Sequence, residues 1–295
     1  MITLTVGTAT HVGMVRDVNQ DRVLAVGPLV VVADGMGGHS GGEVAAEIAV
    51  EVFAGAVPPT TSTELVGLVE QANAEIVERA RDAPGLRGMG TTICVLADLG
   101  EQHGVGRLGI ANVGDSRLYR LTREGLHQHT EDHSLVESLV RDGRLSREEA
   151  QVHPQRNIVT RALGIDGRVL VDAWELAPVR GDRYLLCSDG LYGEVPEPEI
   201  HTALFEIESV QAAADHLVRR ACEAGGRDNV TVAVVDVLEA GPVVEVPADR
   251  VVADHRALSD AASTDAGPQH GAGAAEGAPP ARRFARRFSW RRRRA

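Results

Sequence analysis

The 295-residue sequence contains no lysine: all 30 of its lysine-or-arginine positions are arginine. A P-loop lysine, the strand lysine of protein kinases and a Schiff-base lysine are therefore absent, which sets aside ATP-driven phosphoryl transfer by the usual folds. The all-arginine usage is consistent with the codon bias of a GC-rich genome and carries no function by itself. Cysteine is scarce as well. Cys94 (TTICVLA) and Cys187 (YLLCSDG) lie in apolar strand-like runs and Cys222 closes a helical run, so all three read as small buried hydrophobes in a reducing compartment. A thiolate that cradles a phosphate wants an arginine six residues on; those positions hold Gly100, Gly193 and Asp228, which excludes that chemistry. No apolar run approaches the length of a membrane span. The start, Met1-Ile2-Thr3-Leu4-Thr5, lacks a basic segment and a long apolar stretch, so a soluble, cytoplasmic protein is expected.

Positive charge is short overall and unevenly placed. Net charge is −12, yet residues 241–295 carry ten arginines against six acidic residues, which leaves residues 1–240 at −16. An acidic body argues against nucleic acid as a partner, since phosphate backbones need compensating positive charge. Clustered carboxylates on such a body suit hard divalent cations.

Alternating strand-like and helix-like stretches fill residues 1–238, expected to form one globular domain. Residues 239–280 are Ala, Gly, Pro, Asp and Ser with little periodicity, read as a disordered linker, and residues 281–295 form a basic tail with Phe284, Phe288 and Trp290 among eight arginines. VGTATHVGMVRDVNQDR, near the start, reads as polar and turn-rich. Strands are expected at 23–26 and 29–33, split by the hairpin signal Gly27-Pro28, and the second, LVVVA, should be buried on both faces. Helices follow at 42–56 and 63–81, the latter capped by Thr63. Strands at 91–97, 105–113 and 116–121 precede a polar helical stretch at 133–156. Strands near 169–176 and 184–188, helices at 198–205 and 210–224 and a strand at 230–237 complete the order. Strands before and after pairs of helices, with hairpin spacings, predict an α+β sandwich of antiparallel sheets covered by helices.

Three aspartates share one setting. Asp34 ends LVVVA and precedes Gly35, Asp189 follows YLLCS and precedes Gly190, and Asp228 precedes Asn229 and the strand VTVAVVDV. Any one Asp-Gly or Asp-Asn pair is most simply a turn former. Three at the ends of buried strands, with Asp132 in TEDHS and Asp21 in NQDR, favour a site for Mg²⁺ or Mn²⁺, which take oxygen ligands and keep several waters. The histidines show no HExxH or Cys/His spacing, so zinc is the weaker reading.

RDVNQD (16–21), VVADGMGGHSGGE (31–43), GTT (90–92), ANVGDSR (111–117), TEDHS (130–134), TRALG (160–164), LLCSDGL (185–191) and GRDNVT (226–231) occur in this order. Together they closely resemble the metal-dependent PPM (type-2C) family of Ser/Thr protein phosphatases in its bacterial form, over about residues 5–238. The resemblance implies a four-layer αββα sandwich and hydrolysis of phosphoserine and phosphothreonine in proteins by a metal-activated water, with no covalent intermediate. It implies that Asp34 bridges two Mn²⁺ or Mg²⁺ ions, that the Gly35 carbonyl joins one of them, and that Asp189 and Asp228 complete the shell. Asp132 would join Asp189 at a third cation, Asp21 would act through water in the outer shell, and Arg16 would bind the substrate phosphate. Met36 stands where eukaryotic members often carry a histidine assigned as general acid, and His39 three residues on need not replace it. Gln20 stands where some relatives carry Glu. Residues 133–160 correspond to the family's flap and are expected to affect substrate choice.

The natural partners on this reading are phosphorylated proteins, including Ser/Thr kinases, and the chain is expected to be a monomer. The arginine and aromatic tail suits an anionic membrane surface, which would place the protein peripherally at the inner membrane face. A catalytically dead binding module should have lost one of Asp34, Asp189 and Asp228, and none is lost. A two-metal nuclease would want a basic groove that the acidic body does not suggest.

Overall fold

The structure is a computed structural model, and residues 2–37 and 41–240 are described. The elements run β1 (Thr3–His11), β2 (Arg22–Val26), β3 (Leu29–Ala33), β4 (Gly35–Met36), α1 (Gly41–Gly55), α2 (Ser62–Asp82), β5 (Gly90–Thr91), β6 (Ile93–Gln102), β7 (Val105–Val113), β8 (Arg117–Thr122) and β9 (Gly125–Gln128). They continue with α3 (Leu135–Arg141), α4 (Arg147–Gln151), β10 (Asp172–Leu176), β11 (Arg183–Cys187), α5 (Asp189–Tyr192), α6 (Glu197–Glu206), α7 (Val210–Ala224) and β12 (Val230–Glu239).

Two five-stranded antiparallel sheets form, in the orders β1-β12-β11-β8-β9 and β10-β7-β6-β3-β2, and β4 pairs with β5 apart from them. The period-two alternation of the central strands sorts their apolar side chains into layers. From β3 and β6, Leu29, Val31, Ala33, Ile93, Val95 and Ala97 face α1 and α2, where they meet Ala45, Ala49, Phe53, Leu65, Val69 and Ile76. The alternate residues Val30, Val32, Cys94 and Leu96 point into the space between the sheets, against Leu118, Tyr184, Leu186, Ala233 and Val235. Beyond the second sheet, Leu185, Cys187, Val230, Val232 and Val234 pack on Ile200, Leu204, Leu217 and Ala221 of α6 and α7. Three apolar interlayers thus separate helix, sheet, sheet and helix, the expected αββα architecture. Each fully buried Val or Leu contributes about 1.5–3 kcal/mol, so the strands carrying both faces inward anchor the rest.

Most expected elements are present within a residue or two, and the Gly27-Pro28 turn joins β2 to β3 with Val26 opposite Leu29. The N-terminal segment differs. Residues 3–11 form a nine-residue strand paired with β12 along its whole length, where the composition suggested turns from residue 6 on. As an edge strand it buries little beyond Gly7, so it lacks the apolar alternation that marks its neighbours, and β12 supplies the hydrogen bonds that define it. Its Gly7 is required because a Cβ there would lie 2.4 Å from the backbone of α7. The cap of α2 is Thr61, whose side chain accepts the N–H of Glu64, rather than Thr63. The strand expected from 169 begins only at Asp172, and β12 runs to Glu239, one residue past the expected domain limit.

Antiparallel pairing brings strand ends of opposite direction to one rim. Arg22 pairs with Ala33, so Asp21 and Asp34 emerge side by side. Cys187 pairs with Val232, so Asp189 and Asp228 emerge together from the other sheet. Ile93 pairs with Val113, which carries the β7–β8 turn to the same rim.

Candidate functional site

Asp34 leaves β3 with its main chain pinned on both sides. Its N–H donates to Thr92 Oγ1 at 3.0 Å, and its carbonyl accepts from Thr92 N–H and Thr91 Oγ1, each at 2.9 Å. Gly35 pairs with Thr91 and must be glycine, because a Cβ would lie 2.3 Å from the Gly42 carbonyl oxygen. Asp21 is buried, and its Oδ2 accepts the Ser188 hydroxyl at 2.7 Å. Ser188 in turn accepts the Thr231 N–H at 3.0 Å, tying the two sheets together under the rim. Asp189 opens α5, and Gly190 behind it lies so close to the Asn229 carbonyl that no Cβ fits.

Asp228 and Asn229 hold the loop that presents Arg16. The Arg16 Nη2 donates to Asp228 Oδ2 at 2.8 Å, while Asn229 accepts the Gln20 N–H at 2.8 Å and donates to the Val12 and Val18 carbonyls, both at 2.9 Å. Gly13, at φ +81°, fits against the Asp228 carbonyl and lets Met14 N–H reach the Gly226 carbonyl at 2.7 Å. The Arg16 side chain remains 56% exposed at the mouth.

The carboxyls of this rim act on one another. Burial, then repulsion from Asp21, Asp189, Asp115 and Asp228, holds the Asp34 carboxyl well above the ordinary carboxylate range. Burial, followed by Asp115, Asp228 and Asp21, does the same to Asp189, with Arg16 opposing. Burial raises Asp21 to about 6 against the hydrogen bonds from Ser188 and Thr231. Arg16 is held more firmly protonated by its hydrogen bond to Asp228, by that carboxylate's charge and, more weakly, by Asp189 and Asp34. The structure thus gathers Asp21, Asp34, Asp189, Asp228 and Arg16 in one place. Among the described residues no three His, Cys, Asp or Glu side chains close into a ready-made cage for one ion. The donors are all oxygens and mutually repelling in a poorly solvated rim, so Mg²⁺ or Mn²⁺ fits them.

Asp132 lies to one side, its carboxylate paired with Arg117 at 2.7 Å. It lines a cavity of about 620 Å³ together with Asp115, Asp189, Tyr192 and flap residues such as Val136 and Arg156. Residues 133–160 are closed at their base by the Ser134–Val159 bridge and by Thr160 N–H to the His133 carbonyl at 2.7 Å. Within them α3 and α4 bury only Val136, so the flap stands on a narrow footing.

Two contributors escaped the sequence reading. Asp115, in the turn between β7 and β8, is buried, and its carboxyl is raised to about 6 by burial and then by Asp132. Its signal was present, an Asp beside a Gly at the end of a buried strand, inside the quoted ANVGDSR. Asn229 was read only as a neighbour of Asp228. Met36 occupies β4 as a side chain without a proton to give, and His39 lies outside the described residues. Cys94 and Cys187 are buried as expected, whereas Cys222 is half-buried with Sγ 3.3 Å from His11 Nδ1.

Comparison with known proteins gives one consistent result. The profile of the family described as protein phosphatase 2C matches residues 14–229. The serine/threonine phosphatase Stp of Listeria innocua is 43% identical over 217 residues, covering 71% of this chain and 84% of that protein. The crystal structure of the serine/threonine phosphatase PstP/Ppp of Mycobacterium tuberculosis superposes with a TM-score of 0.75 at 37% identity, covering 81% of this chain and 100% of that one. A structure of the PstP catalytic domain in complex with two manganese ions superposes with a TM-score of 0.73 at 36% identity, over 81% of this chain and 100% of that one.

Proposed function

The chain belongs to the protein phosphatase 2C family, and on that premise we propose that it is a metal-dependent protein phosphatase hydrolysing phosphoserine and phosphothreonine without a covalent intermediate. The observation that carries the reading is the rim itself. Asp21, Asp34 and Asp189 converge where burial and mutual repulsion penalise their charge, and Arg16 faces the same opening.

Two Mn²⁺ or Mg²⁺ ions held by Asp34, the Gly35 carbonyl, Asp189 and Asp228 would, when bound, supply an activated water and neutralise charge on the phosphoryl group. This chain's own residues do the positioning. Arg16 offers a planar fork to two phosphate oxygens, which lysine cannot match, and Asp228 sets the direction of that fork. Asn229 keeps the Arg16 loop on the rim through its contacts to Gln20, Val12 and Val18. Ser188 holds the Asp21 carboxyl by donating its hydroxyl to Oδ2, and Asp21 would act on the metals through water. Met36 has no proton to donate, so the residue after Asp34-Gly35 takes no part in protonating the leaving group. Asp132, with Asp189, is the proposed carboxylate of a third cation site.

Residues 1–238 are taken as the phosphatase domain, with 239–280 a linker and 281–295 a basic tail; residues from 241 on lie outside the described residues. No helix among the described residues is long and apolar enough to cross a membrane. We place the enzyme in the cytoplasm as a monomer acting on phosphorylated proteins, Ser/Thr kinases among them, with the tail resting on anionic lipid at the inner membrane face. Sedimentation with anionic liposomes, with and without residues 281–295, tests the last point; equal sedimentation removes it. The central test is phosphate release from a phosphothreonine peptide with Mn²⁺, repeated with a chelator and with Asp189→Asn. Both controls should abolish release. A folded, Mn²⁺-loaded protein inactive on every phosphopeptide would overturn the reading.

A further inference from the structure

Arg117 opens β8 and turns its guanidinium onto Asp132. Its Nε donates to both carboxylate oxygens, at 2.9 and 3.1 Å, and its Nη2 donates to Oδ2 at 2.7 Å. Gln128 Nε2 adds a fourth contact, to Oδ1, at 2.9 Å. A carboxylate has about four lone-pair positions, so Asp132 is saturated as it stands. The guanidinium is itself held in place. It lies 3.6 Å from the centre of the Tyr192 ring, and its Nη1 donates to Tyr119 Oη at 2.8 Å. Both partners are withdrawn from solvent, with 18% of the Arg117 side chain and 9% of the Asp132 side chain exposed. Asp115 and Asp189 line the same cavity, and Tyr192 donates its hydroxyl to the Asp115 carbonyl at 2.9 Å.

We propose that Arg117 is the resident counter-charge of Asp132 and competes with a third divalent cation for it, so that this cation binds Asp132 only as the guanidinium gives way. The inference rests on the metal-dependent phosphatase reading and assigns Arg117 as a positioning residue. Two cationic groups cannot share one saturated carboxylate: they repel, and the bidentate fork already occupies the lone pairs a metal would need. A purely structural Arg117 leads to the opposite expectation, because its loss would misplace Asp132 and weaken the site. The competing role also gives the third cation a different character from the other two. Among the described residues Asp34 and Asp189 form no ion pair with an arginine, and Asp228 takes a single contact from the half-exposed Arg16 at 2.8 Å, whereas Asp132 is gripped by three Arg117 contacts before any cation arrives.

The test is Mn²⁺ binding to the full chain, read as free Mn²⁺ by electron paramagnetic resonance, for wild type, Arg117→Met, Arg117→Lys and Tyr192→Leu. Asp132→Asn in each background identifies the class of sites that depends on Asp132. Arg117→Met should tighten that class by roughly tenfold or more, the scale on which an adjacent charge shifts an ionisable group. Arg117→Lys keeps the charge but loses the fork, and should fall between wild type and Arg117→Met. Tyr192→Leu loosens the guanidinium and should tighten the class less than Arg117→Met, which keeps the idea testable if Arg117→Met does not fold. An Asp132-dependent class that is unchanged or weaker in the folded variants overturns the inference and leaves the phosphatase reading standing. Absence of any Mn²⁺ binding to the wild type overturns both.

Discussion

At the start of β11, Asp182 and Asp236 are each matched with an arginine. Arg120 reaches Asp182, and Arg183 grips Asp236 through Nε and Nη2 at 2.6 and 2.7 Å while donating to the carbonyls of Leu204, Ile207 and Glu208. At the end of the same strand, Asp189 enters a rim where Asp115, Asp228, Asp21 and Asp34 repel it and the arginine that opposes them is the half-exposed Arg16 at the mouth. The strand is five residues long, so the contrast is made within one continuous piece of sheet. Charge at the first end is balanced within the chain, and the result is rigidity. Charge at the second is left for an external cation, and the result is a site whose unliganded form is held together against its own repulsion.

The largest expected effect breaks the second end. Asp34→Asn should lower phosphatase activity by about 10³-fold, equivalent to about 4 kcal/mol of lost charge stabilisation, while the metal-free variant melts no lower than metal-free wild type. Parallel turnover and calorimetric measurements check this, and a large fall in melting temperature would show that Asp34 is structural. Next comes the first end. Arg183→Met strands the Asp236 carboxylate and the carbonyls it served, which should cost about 3 kcal/mol of stability in denaturant titration, with turnover per folded molecule unchanged.

Arg16→Ala should have an intermediate effect, lowering kcat/KM roughly 30-fold, about 2 kcal/mol for a charged hydrogen-bonding partner, and leaving Mn²⁺ affinity close to wild type. A variant that loses Mn²⁺ affinity instead would place Arg16 in support of the metals. The smallest effect concerns pH. The Asp21 and Asp115 carboxyls stand at about 6 in the fold against an ordinary value of 3.8. The folded state therefore binds more protons than the unfolded one between these values, so this contribution to stability is present below about 4 and lost as pH rises through about 6. Chelator-treated protein should accordingly lose melting temperature as pH rises from about 4 to about 6, and saturating Mn²⁺ should flatten the slope. A slope unaffected by Mn²⁺ would separate these carboxyls from the metal centre.

Legibility followed physical cause. Asp34 and Asp189 were visible because each ends a run that is apolar on both faces, and a charge there stands out. Asp115 has the same setting but sits in Gly-Asp-Ser order and was absorbed into a turn. The opening residues Met1–Thr5 led into a strand as expected, but its continuation over residues 6–11 read as turns because an edge strand needs no apolar alternation. Thr61 took the cap from Thr63 because the helix begins at Ser62, where the Thr61 side chain meets the Glu64 N–H.

By itself the sequence determined the α+β class of antiparallel sheets covered by helices and the strand-end carboxylates, because period-two burial and Asp-Gly turns are local properties of the chain, while the four-layer αββα order came from the family resemblance. The lack of lysine likewise closed off whole chemistries before any fold was known. Only the tertiary structure decided which carboxylates lack a partner. Asp132 and Asp189 are both candidate metal aspartates in the sequence, but the partner of one comes from β8, fifteen residues earlier, while the neighbours of the other are further acids brought in from both sheets. Compensation of charge is a matter of distance across the fold, and the sequence carries no direct record of it.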